Sequence, residues 1–108
     1  MQLLVQVLTS NSRSLRDTIV NDKKLGDFSL RVSIQRKPGR KHGWAKLHSD
    51  IAGIHGAINI QWDASLRMLL CRVITRGAGK PHMVTSAFIE YLLTRFQKRI
   101  EAINILPR

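Results

Sequence analysis

From Phe28 the chain changes character at every residue. Phe28, Leu30, Val32 and Ile34 are apolar, and Ser29, Arg31, Ser33 and Gln35 between them are polar. A period of two sorts side chains onto the two faces of a strand, one covered and one open. Whatever else the chain does, it must build a sheet with a face for this strand to bury.

The next residues extend that sheet. Arg36-Lys37-Pro38-Gly39-Arg40-Lys41-His42-Gly43 carries a Pro-Gly turn signal, and Trp44, Ala45, Lys46, Leu47 and His48 can return antiparallel, giving a hairpin whose basic tip spans 36–46. The stretch from Ser49 to Gly56 reads equally as loop, half-turn of helix or bulged strand. Beyond it Ile58, Ile60 and Trp62 alternate with Asn59 and Gln61, Asp63-Ala64-Ser65 turns the chain, and residues 67–76 return as the second arm of another hairpin.

Before the first hairpin, Leu3, Val5 and Val7 alternate with Leu4, Gln6 and Leu8, a strand partly covered on both faces. A short helix near 13–21 follows, with N-cap oxygens at Asn11, Ser12 and Ser14 and apolar Leu15, Ile19 and Val20. After the second hairpin Gly77-Ala78-Gly79-Lys80-Pro81 breaks the pattern. A long helix over about 85–104 is then expected, with Thr85 as cap and a hydrophobic staple from Val84 to Ile89. Its apolar stripe is Ile89, Leu92, Leu93, Phe96, Ile100 and Ile103.

The expected fold is therefore α+β. A mainly antiparallel sheet of four to five strands, in the order β-α-β-β-β-β-α, carries the short N-terminal and long C-terminal helices on one face. With 108 residues, 44% of them apolar, the chain can fill one modest core, so 1–108 is read as one domain. Helices on one face leave the other to water, a second subunit or a ligand, and a homodimer is a ready way for so small a domain to bury more surface.

Charge points to the partner. Eighteen Lys and Arg against seven Asp and Glu leave +11 with His neutral. The excess is spread evenly, since residues 1–54 hold ten basic and four acidic side chains and residues 55–108 hold eight and three. Such a field draws phosphate backbones, although charge also serves solubility alone. Cys71 is the only cysteine, which excludes an internal disulfide and a cysteine zinc cluster within one chain and suits a reducing, cytoplasmic setting. No signal-peptide pattern opens the chain and no run of about 18 apolar residues occurs, so a membrane role is not expected.

Within the hairpin tip, Arg36, Lys37, Arg40, Lys41 and Lys46 fall in a stretch that contains no acid and does contain Trp44. Cations neutralise phosphates, and an indole can stack on an unpaired base or fold into the core. Arg31, with Arg67, Arg72 and Arg76 on the later strand, can form an arginine-bearing sheet face, but Arg67 is out of phase with the other two. Met68, Leu70 and Ile74 share the phase of Arg72 and Arg76.

Four histidines, His42, His48, His55 and His82, match no metal signature by spacing, and neither metal nor cofactor is expected. As surface residues they need no role; as proton-transfer groups, His42 or His48 beside Arg and Lys would suit a metal-independent endoribonuclease. The glycine loop at 77–81 lacks nucleotide-loop spacing but precedes a helix N-terminus, where a weak phosphate contact is conceivable. Cys71 reads as a small core residue, and Arg95, Lys98 and Arg99 either meet phosphates or complement the helix dipole.

The leading expectation is a non-catalytic nucleic-acid-binding domain, dimeric, that meets DNA or RNA through Arg31, Arg36, Lys37, Arg40, Lys41, Trp44, Lys46, Arg72 and Arg76. The endoribonuclease is one alternative. A homo-oligomeric scaffold or small-ligand domain whose charges are incidental is another.

Overall fold

The computed structural model describes residues 2–51, 54–76 and 80–107. Strand β1 (Gln2–Thr9) leads into helix α1 (Leu15–Val20) and a 3₁₀ turn at Leu25–Phe28. Strands β2 (Leu30–Ile34), β3 (Trp44–Ser49), β4 (Gly56–Asp63) and β5 (Met68–Thr75) follow, then helix α2 (Pro81–Phe96), a 3₁₀ turn at Gln97–Arg99 and strand β6 (Ile100–Pro107). All six strands join one sheet in the order β2-β3-β4-β5-β1-β6, and every neighbouring pair is antiparallel.

Both helices lie on one face, as the alternation requires. Beneath them are Val5 and Val7 of β1, Leu69, Cys71 and Val73 of β5, Ile58 and Ile60 of β4, and Ala45 and Leu47 of β3, all fully buried. Leu15 and Ile19 come down from α1, and Val84, Phe88, Tyr91 and Leu92 from α2. Gly56 marks how tightly α2 sits, because a methyl there would lie 2.7 Å from Val84 Cγ2. Cys71 is a core residue, and burial pushes its thiol far above the usual value.

The sheet has six strands, not four to five, and the difference lies at the C-terminus. The apolar spacing predicts one helix to about residue 104, but α2 ends at Phe96 and residues 100–107 pair with β1, Val7 opposite Ile103 and Val5 opposite Ile105. Ile100 and Ile103 satisfy helical spacing, yet Ile103, Ile105 and Pro107 equally form one face of a strand. Hydrogen bonding decides it: without β6, β1 would be an edge, and β-branched Ile suits a strand better than a helix.

The start of α2 also departs from expectation. Pro81 opens the helix, its fixed φ suited to the first helical position. Thr85 is therefore internal and buried, and its hydroxyl donates to the Pro81 carbonyl at 2.8 Å instead of capping. Val84 packs into the core, not into a staple, and Leu93 stands 41% exposed outside the buried stripe. Phe28 likewise leaves the strand that its alternation suggests, joining the 3₁₀ turn where its ring meets Tyr91 edge-on at 5.3 Å. Residues 52 and 53 of the ambiguous stretch, and 77–79 of the glycine loop, lie outside the described residues.

One polar cluster ties α2 to the α1 end. Asp22 accepts from the Tyr91 hydroxyl at 2.8 Å and from Arg95 Nε and Nη2 at 3.0 and 3.1 Å, with its side chain only 5% exposed. Burial works to raise the Asp22 pKa, but Arg95, the Lys24 amide and Tyr91 outweigh it and hold the carboxyl below its usual value. A carboxylate depressed in the fold contributes stability that is complete above its unfolded value near ~4 and disappears as pH falls through the folded value. Thermal midpoints measured from pH 7 down to about 2 will fall over that lower window, and Asp22→Asn will flatten that fall while lowering the midpoint at neutral pH.

Candidate nucleic-acid interface

The face away from the helices is read directly from the strand register. One row across it runs Arg31, His48, Ala57, Ile74, Gln2. The next holds Lys46, Asn59, Arg72, Leu4, Leu106, and the third Trp44, Gln61, Leu70, Gln6, Asn104. The sheet is thus divided: Arg31, His48, Lys46 and Arg72 occupy the β2 to β5 part, and Leu4, Leu8, Met68, Leu70 and Leu106 gather toward β1 and β6. The in-phase set Met68, Leu70, Arg72 and Ile74 does share one face. Arg67 does not join it, because it sits in the β4–β5 turn with φ 51° and reaches back to the Ser10 carbonyl.

The hairpin tip between β2 and β3 continues the cationic side. Arg36, Lys37, Arg40 and Lys41 are all exposed and, with Pro38 and His42, line a shallow cleft of about 310 Å³. Among the described residues none of these four, nor Lys46, Arg72 or Arg76, is ion-paired to a carboxylate. Arg31 is the exception in the proposed set, held 3.1 Å from Asp50. Surface guanidinium and ammonium groups held in no ion pair present their charge to an outside anion.

Two side chains fix the hairpin. Arg16 of α1, only 4% exposed, donates Nε to the Trp44 carbonyl at 3.1 Å, an Nη2 hydrogen to the Gln35 carbonyl, and Nη1 to Asp17 at 2.8 Å. It therefore clamps both ends of the 35–44 loop. Gly43 sits where a methyl would approach the Trp62 carbonyl oxygen to 2.7 Å, and its own carbonyl accepts from the Trp62 amide at 2.8 Å. Neither residue was legible as part of the site: a lone Arg on a short helix carries no signal until its acceptors are known.

Trp44 is 4% exposed but does not join the core. It belongs to the open face, where the Arg40 guanidinium covers its ring at 5.1 Å from the centroid. Its Nε1 is buried and has no acceptor among the described residues, whereas a buried indole ordinarily finds one. Beside it opens a cleft of about 320 Å³ walled by Leu4, Leu70, Arg40, Arg72 and the amides of Asn59 and Gln61.

The histidines separate. His42 accepts from Arg36 through Nδ1 at 3.1 Å on the tip, whereas His48 and His55 share a different cleft of about 460 Å³ with Lys46, Arg76 and Ser33. His82 is exposed near the start of α2. Among the described residues no three His, Cys, Asp or Glu side chains are placed to hold one metal ion. Arg95 and Arg99, read from sequence as a basic edge, are engaged within the fold: Arg95 on Asp22, Arg99 on Thr18 Oγ1 at 3.0 Å and the Arg13 carbonyl at 2.9 Å. Among the described residues no helix is long and apolar enough to cross a membrane. Compared with protein-family models, curated proteins and solved structures, the chain matches none.

Proposed function

We propose that this chain is a nucleic-acid-binding domain that seats a single strand across the cationic half of its open sheet face, with the β2–β3 hairpin closing over the phosphates. The observation that carries the reading is the set of cations that form no ion pair with a carboxylate among the described residues, Arg36, Lys37, Arg40, Lys41, Lys46, Arg72 and Arg76, gathered on one side of the sheet and running into a cleft beside Trp44. A broad basic sheet with an aromatic within it suits a bendable strand better than a stiff duplex. Titrating labelled single-stranded and duplex DNA and RNA across a salt series will show tightest binding to a single strand, with log affinity falling linearly in log salt. Absence of binding at about 50 mM salt overturns the reading.

The same titration tests a second one. His48 and His55 lie in one cleft with Lys46 and Arg76, two proton-transfer groups beside two cations suited to a strained phosphate. Metal-independent shortening of the RNA probe that disappears in His48→Ala would make the chain an endoribonuclease instead.

The domain works in this reading as a homodimer joined through β6. That strand is an edge of the sheet with Ile105 45% and Leu106 42% exposed on opposite faces, and residues 100–107 hold one Glu and no Lys or Arg. A second copy pairing antiparallel along β6 covers part of both side chains and continues the sheet along a strand that carries no Lys or Arg. Sedimentation equilibrium will give a dimer that Ile105→Lys with Leu106→Lys converts to a folded monomer.

A further inference from the structure

We infer that the cleft beside Trp44 is a subsite for one unpaired nucleobase with its phosphate, and that Arg40 is its movable cover. The inference rests on the nucleic-acid reading above and makes it specific. Three observations meet at this point. Trp44 is buried on the open side of the sheet rather than in the core, its Nε1–H has no acceptor among the described residues, and the group lying over its ring is a guanidinium from an exposed turn.

The walls match the chemistry of a base. Leu4, Leu70 and the indole are apolar and suit the two faces of a flat heteroaromatic ring, while Asn59 and Gln61 offer carboxamides that donate and accept along its edge. These side chains come from two adjacent rows, Trp44–Gln61–Leu70 and Asn59–Arg72–Leu4, so the cleft is a feature of strand register. A free phosphate would use Arg40 and Arg72 but leave the apolar walls unmatched.

Arg40 explains how the indole face stays covered when the site is empty. Its guanidinium is planar and cationic and has no carboxylate partner among the described residues. An arriving base takes its place on the indole face, and the released guanidinium moves to the phosphate of the same nucleotide, where it forms a charge-assisted pair. A duplex cannot enter, because its bases are already stacked and paired.

The test follows the indole N–H resonances of the ¹⁵N-labelled full chain, with Trp62→Phe to leave the Trp44 signal alone. The probes are a hexauridylate, an abasic hexamer with the same sugar-phosphate charge, and uridine 5′-monophosphate. The hexauridylate will shift the Trp44 resonance and bind about 5- to 150-fold more tightly than the abasic strand, the range expected for one stacked base. If the monophosphate alone shifts it equally at comparable affinity, the subsite stands and its source is a free nucleotide. Equal affinity of the two hexamers with an unmoved Trp44 signal overturns the subsite and leaves backbone binding intact, whereas failure of every probe to bind overturns both. Affinities for the two hexamers are compared on the unsubstituted chain, so loss of folding cannot imitate either result, and Trp62→Phe, at a residue packed against the core, serves only to assign the Trp44 resonance. Asn59→Leu, at a half-buried position on the cleft wall, will reduce hexauridylate affinity and not that of the abasic strand.

Discussion

Arg16→Met will destabilise the protein by ~3 kcal/mol and loosen the basic hairpin before the rest of the sheet. The side chain is nearly fully buried, and the carbonyls of Trp44 and Gln35 depend on its guanidinium. Methionine fills much of the same volume but donates nothing, so two carbonyls at the base of the loop lose their partner, each at ~1–3 kcal/mol before relaxation. Denaturant unfolding will read the loss as a lower midpoint with an unchanged slope. Amide exchange will accelerate first around residues 35–44, since the loop is held at its ends and its tip is exposed. Arg16→Lys will restore little, because an ammonium is a compact donor that cannot present the guanidinium fork to two carbonyls and Asp17 together. An unchanged midpoint would mean that the strand pairing alone holds the hairpin.

The contrast between Arg16 and Arg31 shows what could be read before folding. Alternation put Arg31 on the polar face of its strand and gave the β2–β3 hairpin, because period two is enforced by the pleat and needs no knowledge of neighbours, but it left the phase of Arg72 open. It did not show that Asp50 would pair with Arg31, an ion pair between residues nineteen positions apart. Nor did it separate strand from helix at Ile103, where both periods fit and the deciding fact is that β1 lacks a second neighbour. Pro81 was read as part of a break, although its ring also suits the first turn of a helix, and that choice displaced Thr85 from cap to interior. At the site, the density of cations from 36 to 46 was visible in sequence, but the arrangement beneath them was not. Arg16, Gly43 and the cover of Arg40 over Trp44 depend on contacts between separate segments, which composition and spacing do not carry.

The largest functional effect is expected from the hairpin charges. Changing Arg36, Lys37, Arg40 and Lys41 each to Gln removes four cations that are exposed and ion-paired to no carboxylate among the described residues, so folding stability should barely respond. Binding should respond strongly. Each phosphate contact contributes ~0.7 to the slope of log affinity against log salt for a single strand, so four lost contacts flatten the slope by ~2.8 and weaken binding by ~600-fold at 0.1 M salt. The control is Lys23→Gln with Lys24→Gln, two exposed cations between α1 and the following 3₁₀ turn, away from the open sheet face. If only bulk charge mattered, that pair would weaken binding about half as much, on a logarithmic scale, as the hairpin four. If the hairpin meets phosphate directly, the control will change affinity by less than about twofold and leave the slope intact. Equal loss per charge at both places would assign the affinity to the overall field of the domain and remove the hairpin from the interface.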